Sequence, residues 1–295
     1  MVYFSKSQCM SILPQLIINS IIAGATYTLI TLGFNLAYGT TKFLNAVHGS
    51  LAAVAGYIVF FLGRSFGLSI VPSAALGIFG ASVLGVVIWR LVFRPLRHRG
   101  ASPAVLFLSS LGVFTMIQAV LAILFTSQFQ QLGNVGSPRY EFFGAVITKP
   151  QVIIILAGIF IFATLFILLN KTMFGKAVKA IADDEEVARI IGIQTDSVTT
   201  LVFAISSGIA GLAGILIGID IGIQPTMGLW VFLEGAISAI VGGIGNIYGG
   251  VLGSFLLGFA ENFGIWKISG AWKPAIAFGI LIVFLTLRPK GIVRN

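Results

Sequence analysis

Apolar residues occur along the chain in runs of about twenty, and short polar stretches separate these runs. A helix needs about 20 apolar residues to cross the hydrocarbon core of a bilayer. The sequence therefore predicts an all-α fold, a polytopic transmembrane helical bundle of about eight spans with broken or re-entrant helices, in one domain over residues 1–295. The predicted spans are 11–38, 43–62, 71–93, 103–126, 150–170 and 197–219, a glycine-broken pair at 229–243 and 247–264, and a last span at 273–288.

Composition points to the same class of protein. Hydrophobic residues make up 57% of the chain and charged residues 9%, whereas soluble domains carry about 25% charged residues. Thirty-six glycines suit helices that pack closely within a bilayer. The net charge of +9 comes from basic residues in the connections between spans. Such residues indicate the orientation of the spans in the membrane, so the charge is not taken as a sign of a nucleic-acid ligand. A single cysteine, Cys9, excludes an intrachain disulfide and a cysteine-based metal cluster.

The distribution of basic residues predicts the orientation. Twelve of the eighteen Lys and Arg residues fall on one side of the predicted topology, and this side is assigned to the cytoplasm. They are Lys42, Arg90, Arg94, Arg97, Arg99, Lys171, Lys176, Lys179, Arg189, Arg288, Lys290 and Arg294. The C-terminus and residues 171–196 are thus predicted to be cytoplasmic and the N-terminus external. Residues 127–149 face outward, either as a solvated connection or as a contact for an external partner.

The segment Lys171–Asp196 is the longest charged stretch, and it holds five of the nine acidic residues. Its pattern predicts one short cytoplasmic helix over about 175–192, ended by Gly192, with Asp196 or Ser197 capping the next helix. Glu185 and Arg189 are spaced for an ion pair. The predicted apolar stripe consists of Ala177, Val178, Ile181, Ala188 and Ile191. Two interpretations remain open from the residues alone: a linker between spans, or a helix that docks on a partner.

Polar residues accumulate inside the predicted membrane region between Gly33 and Gly56. They are Asn35, Thr40, Thr41, Asn45, His48 and Ser50. A broken helix at this depth is tolerated where it faces protein or water, which indicates a substrate path. The alternative is a set of satisfied hydrogen bonds between helices. His48 has no second histidine or acid within helical reach, so a metal site is not expected.

Two further stretches are rich in glycine. Gly208–Gly218 is typical of close helix packing, whereas Gly242–Gly253 predicts a helix break of the kind that transporters use near the middle of the membrane. Glu234 and Glu261 flank this break. Acids in a span suggest function, but both lie near predicted span ends, where their carboxylates can reach water.

The chain lacks the sequence motifs of several activities. It contains no Walker motif, no H-E-x-x-H, no G-x-S-x-G and no dinucleotide-binding fingerprint, and no span carries a series of acids typical of a proton relay. Energy for uphill transport would have to come from another polypeptide.

Several stretches together resemble one family, the permease subunits of branched-chain amino acid ABC importers. The stretches are IINSIIAGATYTLITLGFNLAYGTTKFLNAVHGSLAAVAGY, GKAVKAIADDEEVARIIGIQTDSVTTLVFAISSGIAGLAGILIG, AISAIVGGIGNIYGGVLGSFLLGFAEN and the terminal LRPKGIV. The resemblance is collinear over nearly the whole chain. It implies a permease in a prokaryotic plasma membrane without a cofactor of its own, because two cytoplasmic ATPase subunits bind the ATP. It also implies a second permease, more often a different chain than an identical copy, and an extracytoplasmic solute-binding protein.

The resemblance also implies roles for particular residues. The helix at 175–192 would dock on the ATPase, with Lys179, Asp183, Asp184, Glu185, Glu186 and Arg189 as the coupling residues. The translocation path would pass Asn35, Asn45, His48, Ser50 and Asn246. The family commonly has Phe-Ala-His-Gly-Glu where this chain has Ala46–Ser50, and Glu234 replaces a small or apolar residue. These departures leave urea, short amides or another small polar solute as alternatives to an amino acid.

Two other classes of function are alternatives to the importer. A stand-alone ion-coupled carrier or channel would need no ATPase partner. An intramembrane enzyme would need a paired catalytic set, which the sequence does not contain.

Overall fold

Helices form most of the chain in this computed structural model, which describes residues 6–132, 138–142 and 144–293, with side chains from residue 12 onward. The helices are α1 (Lys6–Thr41), α2 (Val47–Phe66), α3 (Ile70–Ile88), α4 (Arg94–His98), α5 (Pro103–Phe125), α6 (Lys149–Lys171), α7 (Met173–Asp183), α8 (Glu185–Ile190), α9 (Thr195–Asp220), α10 (Met227–Gly242), α11 (Ile247–Gly264) and α12 (Lys273–Leu287). A π-helical turn at Trp89–Phe93 joins α3 to α4.

The described helices confirm the predicted fold class. Seven of them are long and apolar enough to cross a membrane, or up to eight if the bent pair α10–α11 is one span. Because α3, its π turn and α4 are continuous, they form one such helix over Ile70–His98. The predicted Arg-rich loop after the third span is therefore partly helical.

The core of the bundle is formed by α1, α2 and α9, which bury most of their residues. By contrast, α12 buries only Ala277 completely among its residues, and α3, α5 and α6 expose many large apolar side chains. These outer helices therefore present apolar surface to lipid or to another membrane subunit.

Glycines allow the core helices to approach each other at backbone distance. A Cβ on Gly214 would collide with the carbonyl group of Ala52 in α2, and one on Gly211 would lie 2.9 Å from Cβ of Ala81 in α3. The predicted packing role of the stretch 208–218 is confirmed, since α9 contacts both neighbours at these glycines.

Helices α10 and α11 are joined at the break 243–246, where the chain changes direction by 113°. A Cβ on Gly242 would collide with the backbone of Gly249, and a Cβ on Gly253 would collide with the backbone of Ser238. The two helices therefore pack closely against each other beyond the break. Gly243 and Gly245 take φ angles of +118° and +85°, which favour glycine. The sequence left open whether this pair crosses twice or re-enters, and in either case it returns to the side on which it began.

The predicted outer loop 127–149 contains a short hairpin. Strands β1 (Arg139–Phe142) and β2 (Ala145–Thr148) are antiparallel, and Gln130 forms an isolated bridge with Ile223 after α9. Residues 133–137 and 143 of this loop lie outside the described residues, as do Arg294 and the side chain of Cys9.

Candidate functional site

The charged segment is two helices instead of the single predicted one, which corrects the boundaries 175–192. Asp184 separates α7 from α8 with an extended backbone, φ −153° and ψ 114°. Its Oδ1 accepts hydrogen bonds from the backbone N–H groups of Glu186 at 2.9 Å and Val187 at 3.1 Å. An aspartate that caps a new helix competes with continuation of the preceding one, and this competition ends α7. Gly192 follows α8 with φ +91°, as predicted.

The interruption changes the apolar stripe. Val178, Ile181 and Ala188 are buried as predicted, but Ile191 is 67% exposed, so its assignment to the stripe is wrong. Because Asp184 interrupts the helix, the last turn of α8 does not continue the buried face of α7. Ile190 is 83% exposed and Val187 53% exposed. Val187, Ile190 and Ile191 form an exposed apolar patch beside charged side chains.

Ion pairs connect the charged segment to the end of the third span. The predicted pair of Glu185 and Arg189 is present at 3.3 Å, and Glu185 also pairs with Arg97. Arg97 donates a further hydrogen bond to the carbonyl oxygen of Thr40 at the end of α1, at 3.3 Å. These contacts place α4, α8 and the end of α1 on one end of the bundle, named here the charged face.

Asp196 contributes to the same network. The prediction that Asp196 or Ser197 caps α9 is wrong, since α9 begins at Thr195 and no side-chain cap precedes it. Instead, the carboxylate of Asp196 lies 2.8 Å from Arg94 and 3.3 Å from His98. Sequence reasoning missed Arg94 and Arg97 as positioning residues, because each lies about ninety to a hundred positions from its partner.

A second set of bonds connects α7 to the helix break. Lys179 Nζ donates to Asn170 Oδ1 at 2.7 Å, and Asn170 Nδ2 donates to the hydroxyl of Tyr248 at 2.9 Å. Tyr248 is in the first turn of α11, directly after the break. Of the other predicted coupling residues, Asp183 and Glu186 are exposed at this face.

Asn35 of α1 forms hydrogen bonds with the break between α10 and α11. Its amide nitrogen donates to the carbonyl oxygen of Asn246 at 2.8 Å, and its Oδ1 accepts from the N–H of Gly245 at 3.0 Å. Asn246 in turn caps α11 through bonds from the N–H groups of Tyr248 and Gly249. Asn35 and Asn246, two residues of the predicted translocation path, are therefore adjacent although they are distant in sequence.

This break borders a cavity of about 260 Å³ between α1, α6, α7 and α11. Its polar lining includes Asn35, Asn170, Lys179, Asp183, Asn246 and Tyr248. Asn35 lies six residues before the end of α1, or about 9 Å along the helix axis. The break is therefore near the charged face, whereas the sequence suggested the middle of the membrane.

Asn45, His48 and Ser50 surround the buried start of α2. Asn45 Oδ1 accepts from the N–H of Val47, and Ser50 donates to the carbonyl of Val47 at 2.9 Å. His48 Nε2 lies 3.1 Å from the carbonyl oxygen of Ile30 in α1. Each of the three side chains has a partner within the chain, and no cluster of His, Cys, Asp and Glu suited to a metal ion occurs among the described residues.

The two membrane carboxylates occupy different surroundings. Glu261 is 2% exposed, and its Oε2 accepts a 2.6 Å hydrogen bond from the hydroxyl of Tyr27. The expectation that Glu261 reaches water is therefore wrong, because its position near a span end is covered by α1. Glu234 is partly buried and borders a separate cavity.

Comparison with known proteins gives consistent matches over the whole bundle. Residues 16–285 match the family described as branched-chain amino acid transport system / permease component. The permease protein BraD of a high-affinity branched-chain amino acid transport system in Pseudomonas aeruginosa is 31% identical over 293 residues, with 95% of each chain covered. The permease protein LivH of Escherichia coli K12 is 29% identical over 95% of this chain and 94% of its own. The solved structure PsaBC from Streptococcus pneumoniae in complex with Fab shares the fold, with a TM-score of 0.53 at 12% identity and 97% of each chain covered.

Proposed function

The chain belongs to the family of permease components of branched-chain amino acid transport systems, and from this premise we propose that it forms the translocation path for branched-chain amino acids in an ATP-driven importer. The observation that carries the proposal is the extent of the family match, which runs from α1 to α12. Both relatives compared above are named for branched-chain amino acids, which favours this substrate class over urea or short amides. The same match favours an importer subunit over a stand-alone ion-coupled carrier.

The proposed orientation puts the charged face in the cytoplasm, with residues 171–196 and the C-terminus. The positive-inside rule supports this assignment, because Arg94, Arg97 and Arg189 gather at this end. The C-terminal tail lies at the same end, since the N–H groups of Ile292 and Val293 donate to carbonyls of α10 next to the break.

The segment α7–α8 is the proposed docking element for an ATPase subunit. Its exposed apolar patch offers surface that a partner groove can bury, and the surrounding charges of Asp183, Glu186 and Arg189 can select the partner. Lys179, Asp184 and Glu185 have a different part in this proposal. Lys179 and Glu185 hold the two helices against the bundle through the bonds described above, and Asp184 caps α8, so movement of the ATPase is transmitted to the membrane helices.

The proposed path runs along the helix break and the start of α2, past Asn35, Asn45, His48, Ser50 and Asn246. Support comes from the connection of α7 to the break through Lys179, Asn170 and Tyr248. A displacement of α7 is transmitted to α11 through this chain of hydrogen bonds. The hydrogen bonds of Asn35 connect the break to α1 and oppose movement of α11. The break is therefore suited to respond to the ATPase.

The proposed assembly contains two cytoplasmic ATPase subunits that bind the ATP, a second permease and an external solute-binding protein. The exposed apolar surface of α3, α5, α6 and α12 is available to lipid and to the second permease, which we propose to be a different chain.

Isolation of the tagged chain from its native membrane in mild detergent tests this assembly. The expected result is recovery of an ATPase and a second permease in defined ratio with the chain, identified by mass spectrometry. A tagged, unrelated permease from the same membrane is the control for non-specific recovery. Recovery of the chain alone at every detergent concentration would contradict the proposal and favour an independent carrier.

A further inference from the structure

A second cavity opens at the end of the bundle opposite to the charged face. It has a volume of about 520 Å³, which is within the range of small-molecule sites. It lies between the start of α6, the end of α9, the start of α10 and the start of α12. All of these helix ends are remote from α7 and α8, so this cavity is separate from the break and its neighbours.

The cavity presents an acid and a base that do not pair with each other. Glu234 of α10 and Lys273 of α12 both line it, and they are close enough to interact electrostatically. The ion pairs within 4.0 Å among the described residues all lie on the charged face. Neither Glu234 nor Lys273 makes a side-chain hydrogen bond or an ion pair within 4.0 Å in the part of the chain that the structure describes, so both groups can bond to a ligand in the cavity.

The third charged group is already engaged. Asp220, at the end of α9, lies 3.5 Å from the Thr148 hydroxyl, which donates to it. Its carboxylate therefore has a local partner at the rim of the cavity. Glu234 is the acid that remains available to a ligand.

The rest of the wall is mainly apolar. Ile22 of α1, Ile154 of α6, Ile217 of α9 and Met227 and Val231 of α10 line the cavity, and the indole of Trp230 is at its border. Burial of a branched aliphatic group against such a wall is favourable by the hydrophobic effect. The cavity thus combines an acidic side chain, a basic side chain and an apolar surface.

We propose that this cavity is a binding site for a zwitterionic amino acid with an apolar side chain, in which Glu234 binds the ammonium group and Lys273 the carboxylate. The positive end of the α12 dipole, which begins at Lys273, adds to the attraction for the carboxylate. The inference rests on the proposed function and gives the substrate a first site in the permease, on the side opposite to the ATPase. A neutral amide or a sugar has no charged groups to complement Glu234 and Lys273.

Charge-neutral variants of the assembled importer test the two contacts. Glu234→Gln and Lys273→Gln are each expected to lower leucine uptake about tenfold or more, since each removes a charge-assisted hydrogen bond. Assembly with the ATPase and basal ATP hydrolysis should be unchanged, because both residues are remote from the charged face. Glu141→Gln and Lys267→Gln are matched controls, since both side chains are exposed outside the cavity lining. Glu234→Asp, which keeps the charge, should retain more uptake than Glu234→Gln.

Occupancy is tested separately by thiol labelling of the assembled importer in a Cys9→Ser background. Gln224 lines the cavity, whereas Ser269 is exposed before α12. Leucine is expected to slow modification of Gln224→Cys about threefold or more at saturation, to leave Ser269→Cys unaffected, and to lose its effect when Glu234→Gln is added.

The outcomes separate the two proposals. Normal uptake by both charge-neutral variants, or labelling of Gln224→Cys that leucine does not alter, would overturn the binding site while wild-type uptake upholds the importer. A wild-type complex that assembles and hydrolyses ATP but carries no branched-chain amino acid would overturn the proposed function, and the cavity assignment with it.

Discussion

An Ile190→Asp/Ile191→Asp double variant is expected to lose its ATPase partner and, with it, nearly all amino acid uptake. Ile190 ends α8 and is 83% exposed, Ile191 follows it and is 67% exposed, and water contact is unfavourable for both side chains. Burial of one such side chain in a partner is favourable by about 1.5–3 kcal/mol. Since 1.4 kcal/mol corresponds to a factor of ten, loss of both contacts predicts about a hundredfold weaker binding or more.

The measurement is recovery of the ATPase with the tagged chain, together with uptake by the same preparations. Ile190→Leu/Ile191→Leu is the matched control, because it preserves the apolar patch and should behave as the wild type. If the aspartate variant recovers as much ATPase as the leucine variant, the exposed patch does not form the docking surface.

Replacement of Asn35 by leucine is expected to reduce uptake about tenfold or more while the protein still accumulates in the membrane. The variant removes the donor to the carbonyl of Asn246 and the acceptor of the Gly245 N–H. The Gly245 N–H then loses its side-chain acceptor, at about 1–3 kcal/mol, and the Asn246 carbonyl loses its bond from α1 while it keeps the one from the Gly250 N–H. The break loses its connection to α1, whereas the glycine contacts between α10 and α11 remain.

Uptake per assembled complex is the quantity to measure, and the amount of folded chain is followed by size-exclusion chromatography in detergent. Thr115→Val is a suitable control, since the Thr115 hydroxyl bonds only to carbonyls of its own helix. Wild-type uptake by Asn35→Leu would remove the contact between α1 and the break from the mechanism. Complete loss of folded protein would instead show that Asn35 acts in stability alone.

Hydropathy predicted the outer helices well and the buried ones less precisely. The span 103–126 corresponds to α5 at Pro103–Phe125, because polar residues border it on both sides. The second span, expected at 43–62, begins four residues later at Val47, since α1 continues to Thr41. The connection between the two is itself buried, with Phe43 and Ala46 nearly inaccessible, so the apolar pattern does not mark the boundary.

The candidate site was predictable where it is local in sequence. The pair of Glu185 and Arg189 followed from helical spacing, and the break at 243–246 followed from its glycines. The interruption at Asp184 had a signal that was missed, because an aspartate followed by two glutamates is typical of a helix start.

Contacts between distant segments were not predictable in this way. Arg97 with Glu185 and Asn35 with the break each join helices that are brought together only by tertiary packing, and the same packing places Glu234 and Lys273 in one cavity. Nothing in a single sequence relates such distant positions to each other. The cavity at the end of the bundle opposite to the charged face could therefore not be predicted from it.

Uptake of radiolabelled leucine into sealed vesicles tests the central claim most directly. The vesicles contain the chain with its second permease and ATPase subunits, and ATP is enclosed on the side of the charged face while the solute-binding protein is supplied on the other. The account predicts accumulation of leucine that requires ATP, the ATPase and the binding protein together. Leucine accumulation by the chain alone along an ion gradient, or none by an assembled complex that hydrolyses ATP, would contradict it.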